Sequence, residues 1–176
     1  MIEMLEIRES LPSDAALIEE LYRLAFPDED LVPVVRDLLE ESLIVLSLVG
    51  TVDLALVGHV IFTTCGIETR TDKVSLLAPL GVVPAWQKRG IGSALVLEGL
   101  LRSADAGVVQ VFVLGDPAYY QRFGFEPEAG VTPPYPLPKE WRGAWQSACL
   151  NDDEQPPENG NLSVPKPWRQ PALWAP

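Results

Sequence analysis

A chain of 176 residues suits one domain with its own core, since roughly 70% of the unfolded surface is buried on folding at that size. Hydrophobic residues at 47% and charged residues at 22% exclude a disordered chain over most of its length. The net charge of −12 argues against a nucleic-acid partner, which needs a basic surface, and is compatible with a cationic substrate such as an amine. Cys65 and Cys149 stand far apart, without metal or disulfide-framework spacing, and read as free thiols of a reducing compartment. The opening residues lack the basic region of a signal peptide, and no apolar run reaches the length of a membrane span. A cytoplasmic protein without a membrane partner is expected.

Alternation around Leu5 and Ile7 predicts a first strand ending near Glu9. Ser13 is then a candidate N-cap for a helix whose stripe is Leu17, Leu21 and Leu24, widened by Ile18, Tyr22 and Ala25. Phe26-Pro27 ends it. A second helix is expected over 30–41, with Leu31, Val34, Val35, Leu38 and Leu39 inward and Pro33 in its first turn. Residues 42–49 and 54–63 read as a hairpin around Gly50-Thr51. Residues 66–73 read as a turn, and 74–83 as a strand interrupted at Pro79, which has no N–H to give.

A helix is expected from Ser93 to about Ala104, stopped at Gly107, followed by an apolar strand over 108–114. Asp116 caps a short helix with Pro117 at its first position, closed by Phe123-Gly124-Phe125. Beyond it, prolines 133, 134, 136 and 138 give an extended segment. Residues 144–150 and 162–164 suggest a final hairpin around an exposed acidic loop at 151–160. Trp168 and Trp174 in the tail call for packing against the domain or a partner.

The chemistry-bearing stretch is Gln87-Lys88-Arg89-Gly90-Ile91-Gly92, between a strand and a helix. A glycine turn at a helix start leaves backbone N–H groups without helical acceptors, and the helix dipole adds partial positive charge there. The site suits a diphosphate. It lacks the P-loop pattern, and Gly90-Ile91-Gly92 has no third glycine at dinucleotide-fold spacing. Lys88 and Arg89 are misplaced at a positive helix end unless an anion visits.

The wider run over 80–95 resembles the acetyl-CoA motif of the GCN5-related N-acetyltransferase (GNAT) family, Gln/Arg-x-x-Gly-x-Gly/Ala, matched at Gln87, Gly90 and Gly92. The stretch over 111–125 is similar to the Leu-Gly-Asp-Pro-x-Tyr-Tyr-x-Arg-Phe-Gly-Phe segment of a bacterial subgroup of predicted acetyltransferases. The resemblance covers 1–125, with 126–176 a less constrained segment of the same single domain, 1–176. It implies an α/β fold: a mixed, mostly antiparallel sheet of six or seven strands, helices on both faces, and a splay beside the 108–114 strand for the pantetheine arm.

The activity implied is transfer of an acetyl group from acetyl-CoA to a primary amine, without a metal. Direct attack is preferred to a cysteine-linked intermediate, because neither cysteine falls in a cofactor motif. The amides of Lys88, Arg89, Gly90, Ile91, Gly92 and Ser93 would hold the diphosphate, with an N–H of Leu80 or Val82 polarising the thioester carbonyl. Tyr120, four residues before Gly124, falls where the family keeps its general acid. The base stays open between Glu68, a carboxylate in the turn before the Pro79 strand, and a water chain; Glu68 also reads as a solvated turn residue, His59 as a core histidine and Asp116 as a cap. A non-catalytic CoA sensor on the same scaffold is the rival reading. The acceptor amine is not specified, and a homodimer is compatible with the family.

Overall fold

The computed structural model describes residues 4–68, 70–150 and 160–175. They fall into two compact units, Met1–Thr63 with Ala78–Leu101 and Thr64–Leu77 with Arg102–Pro176. The loop expected at 151–160 lies, apart from Gly160, outside the described residues. The strands are β1 (Leu5–Glu9), β2 (Val45–Val52), β3 (Ala55–Ile67), β4 (Arg70–Val82), β5 (Gln110–Leu114), β6 (Glu126–Pro127), β7 (Val131–Thr132), β8 (Trp145–Cys149) and β9 (Gly160–Ser163). Their order is β1-β2-β3-β4-β5-β8-β6, with β9 pairing β3 and β7, in a mixed, open and mostly antiparallel sheet. The long strands β3 and β4 contribute to both units.

In the first unit β1, β2 and β3 form an antiparallel meander. The hairpin turn is not at Gly50-Thr51, as expected, but at Asp53 and Leu54, whose φ values of 48° and 70° are those of a two-residue primed turn. Gly50 stays in the strand opposite Gly58. Its missing side chain serves packing instead: a Cβ there would lie 3.3 Å from Leu5 and 3.7 Å from Ile91.

Helix α1 (Ala15–Ala25) buries Ile18, Leu21 and Tyr22, while Leu17 and Leu24 of the expected stripe are 56% and 49% exposed. The stripe is turned because Tyr22 meets His59 of β3 at 2.8 Å, and Leu21 and Tyr22 fill the space above Gly81. Nor does Ser13 cap this helix. It lies in a single 3-10 turn, Pro12–Asp14, where the Asp14 carboxylate accepts the Leu11 N–H at 2.7 Å and is clamped by Arg8 at 2.8 and 3.0 Å. Helix α2 (Val32–Glu40) buries Val32, Val34, Val35 and Leu38, with Pro33 in its first turn.

Helix α3 (Ile91–Asp105) covers the other face of β3. A Cβ on Gly58 would come 2.8 Å from both Ile91 and Leu95, and one on Gly99 would collide with the Phe62 ring. Since Gly58 and His59 point to opposite sides of one strand, helices cover both faces of it.

In the second unit β4 pairs β5 in parallel over three residue pairs, ending at Leu76↔Phe112. Pro79 lies beyond that ladder, which suits a residue with no N–H. The expected final hairpin does not form among the described residues. Both edges of β8 are taken, by β5 and β6, so β9 pairs instead with the end of β3 at Gly66↔Ser163. The tail packs as expected: Trp168 and Trp174 are buried, ring centroids 6.1 Å apart, and Trp174 Nε1 donates to the Trp168 carbonyl.

Candidate functional site

The first unit assembles the glycine loop from a strand end, a tight turn and a helix start. After β4 the Val83 N–H donates to Val57 O at 2.9 Å, and Pro84–Trp86 make one 3-10 turn. Lys88 and Gly90 then take φ values of 62° and 85°. At Gly90 an added Cβ would meet nothing within 4 Å, so the glycine is there for its dihedral, not for space.

Helix α3 begins at Ile91, two residues before the expected Ser93, and its ladder opens with Ala94 N–H donating to Gly90 O at 3.0 Å. The amides of Gly90, Ile91 and Gly92 therefore have no acceptor within the helix. Ile91 is 1% exposed and packs over Gly58, which anchors this first turn to β3. Gln87 Nε2 donates to Val82 O at 3.0 Å and ties the loop to the strand. The Arg89 guanidinium lies 4.9 Å from the Trp86 ring centroid, an attraction between a cation and a π-face. Both Lys88 and Arg89 are exposed. The arrangement offers a diphosphate several amides, the positive end of a 15-residue helix and two cations.

Leu80 and Val82 are half-buried on β4, flanking Gly81. A Cβ at Gly81 would lie 2.7 Å from Leu21 and 3.0 Å from Tyr22, so the absent side chain lets α1 press against this strand.

Tyr120 and Glu68 belong to the second unit. The Asp116 carboxylate accepts the Ala118 N–H at 3.0 Å and starts helix α4 (Pro117–Tyr120). This engagement identifies Asp116 as the cap that its sequence position suggested. Tyr120 is packed among Tyr119, Phe123 and Phe125, with its nearest centroid at 5.0 Å. A Cβ on Gly115 would fall 2.5 Å from its ring. Burial pushes the Tyr120 phenol above its ordinary range, with the Tyr119 phenol adding to the shift, so it is a protonated donor at any neutral pH. The Tyr119 ring instead takes the Arg122 guanidinium at 4.4 Å.

Glu68 is exposed; its N–H donates to Asn161 O and its Oε2 accepts from Asn161 Nδ2, both at 3.2 Å. It lines a cavity of about 1260 Å³ with the proline-rich segment, and shares no partner with Tyr120 among the described residues. The cavity was not anticipated from the sequence. An irregular proline-rich segment has no periodicity to reveal which residues converge.

His59 is fully buried, with Nδ1 at 2.8 Å from Tyr22 Oη and Nε2 at 2.8 Å from Ser47 Oγ. Desolvation pushes its pKa down to about 3 against a smaller opposing pull from Asp14, so it is a neutral core histidine at working pH. Burial likewise pushes the Cys65 thiol up to about 12, which leaves no thiolate for nucleophilic attack at neutral pH. Among the described residues no helix is long and apolar enough to cross a membrane.

Comparison with known proteins gives the family. Residues 44–127 match an acetyltransferase (GNAT) domain. The chain is 36% identical to the uncharacterized N-acetyltransferase YjhQ of Escherichia coli K12 over 145 residues, which is 78% of this chain and 80% of that one. The E. coli GNAT family N-acetyltransferase YhbS, solved in complex with CoA, superposes with a TM-score of 0.86 at 31% identity, covering 95% of this chain and 93% of its own. A GNAT family acetyltransferase from Brucella melitensis in complex with acetyl-CoA gives 0.74 at 29% identity, over 93% and 97% of the two chains.

Proposed function

The chain belongs to the GNAT family of acetyl-CoA-dependent acyltransferases, and from that premise we propose that it acetylates a primary amine by direct attack on the thioester. The observation that carries this reading is the loop from Gln87 to Ser93, with its two left-handed residues and apolar anchor at Ile91. The amides of Lys88 through Ser93 hold the CoA diphosphate, and Lys88 and Arg89 supply local positive charge in a chain of net charge −12. Gln87 acts through its bond to Val82, keeping loop and strand in register.

An amide of Leu80 or Val82 stabilises the developing oxyanion as the amine nitrogen bonds to the acetyl carbon. Collapse of the tetrahedral intermediate breaks the carbon–sulfur bond; the departing thiolate takes the proton of Tyr120, and the nitrogen gives up its extra proton, through water, to restore the phenol. Glu68 is the carboxylate assigned to take up the ammonium proton, directly or through water. The acceptor bears a primary amine, and no cysteine intermediate is needed.

Two measurements test this. Acetyl-CoA raises the melting temperature of the protein while ATP does not, since a ligand of the native state stabilises it. Thiol release is then followed over an amine library. Stabilisation by ATP alone would overturn the cofactor assignment. CoA binding with no thiol release for any amine would leave a sensor in place of an enzyme.

A further inference from the structure

The cavity of about 1260 Å³ in the second unit has walls of Pro133, Pro134, Tyr135 and Trp145, and Arg142 and Arg169 line it as well. Those two arginines differ from others in the chain. Arg8, Arg23, Arg36 and Arg70 pair with carboxylates, and Arg89 and Arg122 lie over aromatic rings. Among the described residues Arg142 and Arg169 have neither kind of partner. Arg169 donates its Nε to Val164 O at 2.9 Å, which orients the guanidinium plane and leaves its terminal nitrogens to donate.

The carboxylates on the cavity wall do not answer them. Glu128 accepts the N–H groups of Gly130 and Val131, each at 2.7 Å, and the Ser147 hydroxyl at 2.7 Å. Glu68 is engaged by Asn161. Among the described residues, two exposed arginines thus line this cavity without a carboxylate partner, beside its proline and aromatic residues. Guanidinium groups recognise carboxylates through paired N–H donors.

We propose that this cavity binds an amino acid or short peptide by its free α-carboxylate, held by Arg142 and Arg169, with an apolar side chain against the proline and Tyr135 wall. The volume exceeds that of most small-ligand pockets and leaves room for more than one residue. That this ligand is also the acetyl acceptor, through its amine, rests on the function proposed above.

The test is calorimetric titration of the full chain with apolar dipeptides carrying a free carboxylate, the same dipeptides as C-terminal amides, and the single amino acids, all without acetyl-CoA. The free acids should bind at least tenfold more tightly than the amides, and the Arg142→Gln/Arg169→Gln double variant should erase that preference. The comparison of amino acid with dipeptide distinguishes the two sources of the carboxylate. Equal binding of acid and amide to the unaltered protein would overturn the proposal, whether or not the variant folds. So would a preference that survives in the folded double variant. Thiol release from acetyl-CoA separates the two readings: acetylation of simple monoamines but not of carboxylate-bearing amines removes the acceptor role of this ligand and leaves the acetyltransferase, whereas tight carboxylate binding with no thiol release keeps the cavity site and removes the proposed activity.

Discussion

The side-chain amide of Gln87 reaches back 3.0 Å to the carbonyl of Val82, joining the glycine loop to the end of the strand proposed to polarise the thioester. A single neutral hydrogen bond of this kind contributes about 0.5–1.5 kcal/mol. Gln87→Ala should therefore raise the KM for acetyl-CoA by about three- to tenfold with little change in melting temperature. Steady-state kinetics beside a thermal melt checks it; an unchanged KM would show that the bond does not position the loop.

The two glycines of the loop should respond differently. Gly90 has φ of +85° in open space, so Gly90→Ala adds backbone strain of about 1–2 kcal/mol and lowers stability. Gly92 lies in the first turn of α3, where Gly92→Val crowds the proposed diphosphate. It should weaken CoA binding by about tenfold or more, on the 1.4 kcal/mol-per-decade scale, while the fold is kept. Denaturation and CoA titration on both variants separate strain from crowding.

Tyr120→Phe removes a phenol and keeps the ring that Phe123 and Phe125 pack against. If that phenol protonates the leaving thiolate, kcat falls by about 10²-fold or more while CoA affinity is retained. A folded variant with full turnover would move the acid elsewhere.

His59 makes stability depend on pH. Its folded pKa, about 3, lies below the ordinary 6.5, so the unfolded chain binds the extra proton in between. The stabilisation is whole above the ordinary value and is lost as pH falls toward the folded one, with a slope of at most about 1.4 kcal/mol per pH unit. Asp14, whose carboxyl Arg8 holds below its ordinary 3.8, loses its contribution in the same direction at lower pH. Urea denaturation between pH 6.5 and 5.5 reads the histidine, since Glu19, which Arg36 holds below its ordinary 4.5, adds to the slope only at lower pH. His59→Gln should flatten the slope there, and a slope that does not change would mean that His59 is not the titrating group.

Much of this molecule could be read locally. The Asp116-Pro117 helix start, the stop at Gly107 and the turn at Gly124 all appear where their residue types demand, because caps and positive φ values are set by a residue and its immediate neighbours. The loop over 87–92 is legible for the same reason: strand, glycine and helix follow one another within a few residues.

Errors came where a distant segment decides. Gly50 looked like a turn residue and is a packing residue, because α3 lies against it. Leu17 and Leu24 looked buried and are exposed, because His59 and Gly81 select the face that α1 presents. The last strand could not be paired from the sequence, since it joins β3, almost a hundred positions earlier.

The order of residues by itself determined the glycine loop, the short helix carrying Tyr120 and the family, since each rests on contiguous positions whose backbone chemistry is local. The tertiary structure alone decided which glycines make room for helices, which partners hold the core histidine His59 neutral, and that Arg142 and Arg169 line one cavity with no carboxylate partner among the described residues. Those outcomes depend on burial and convergence, which arise only when segments far apart in the chain exclude water from between them.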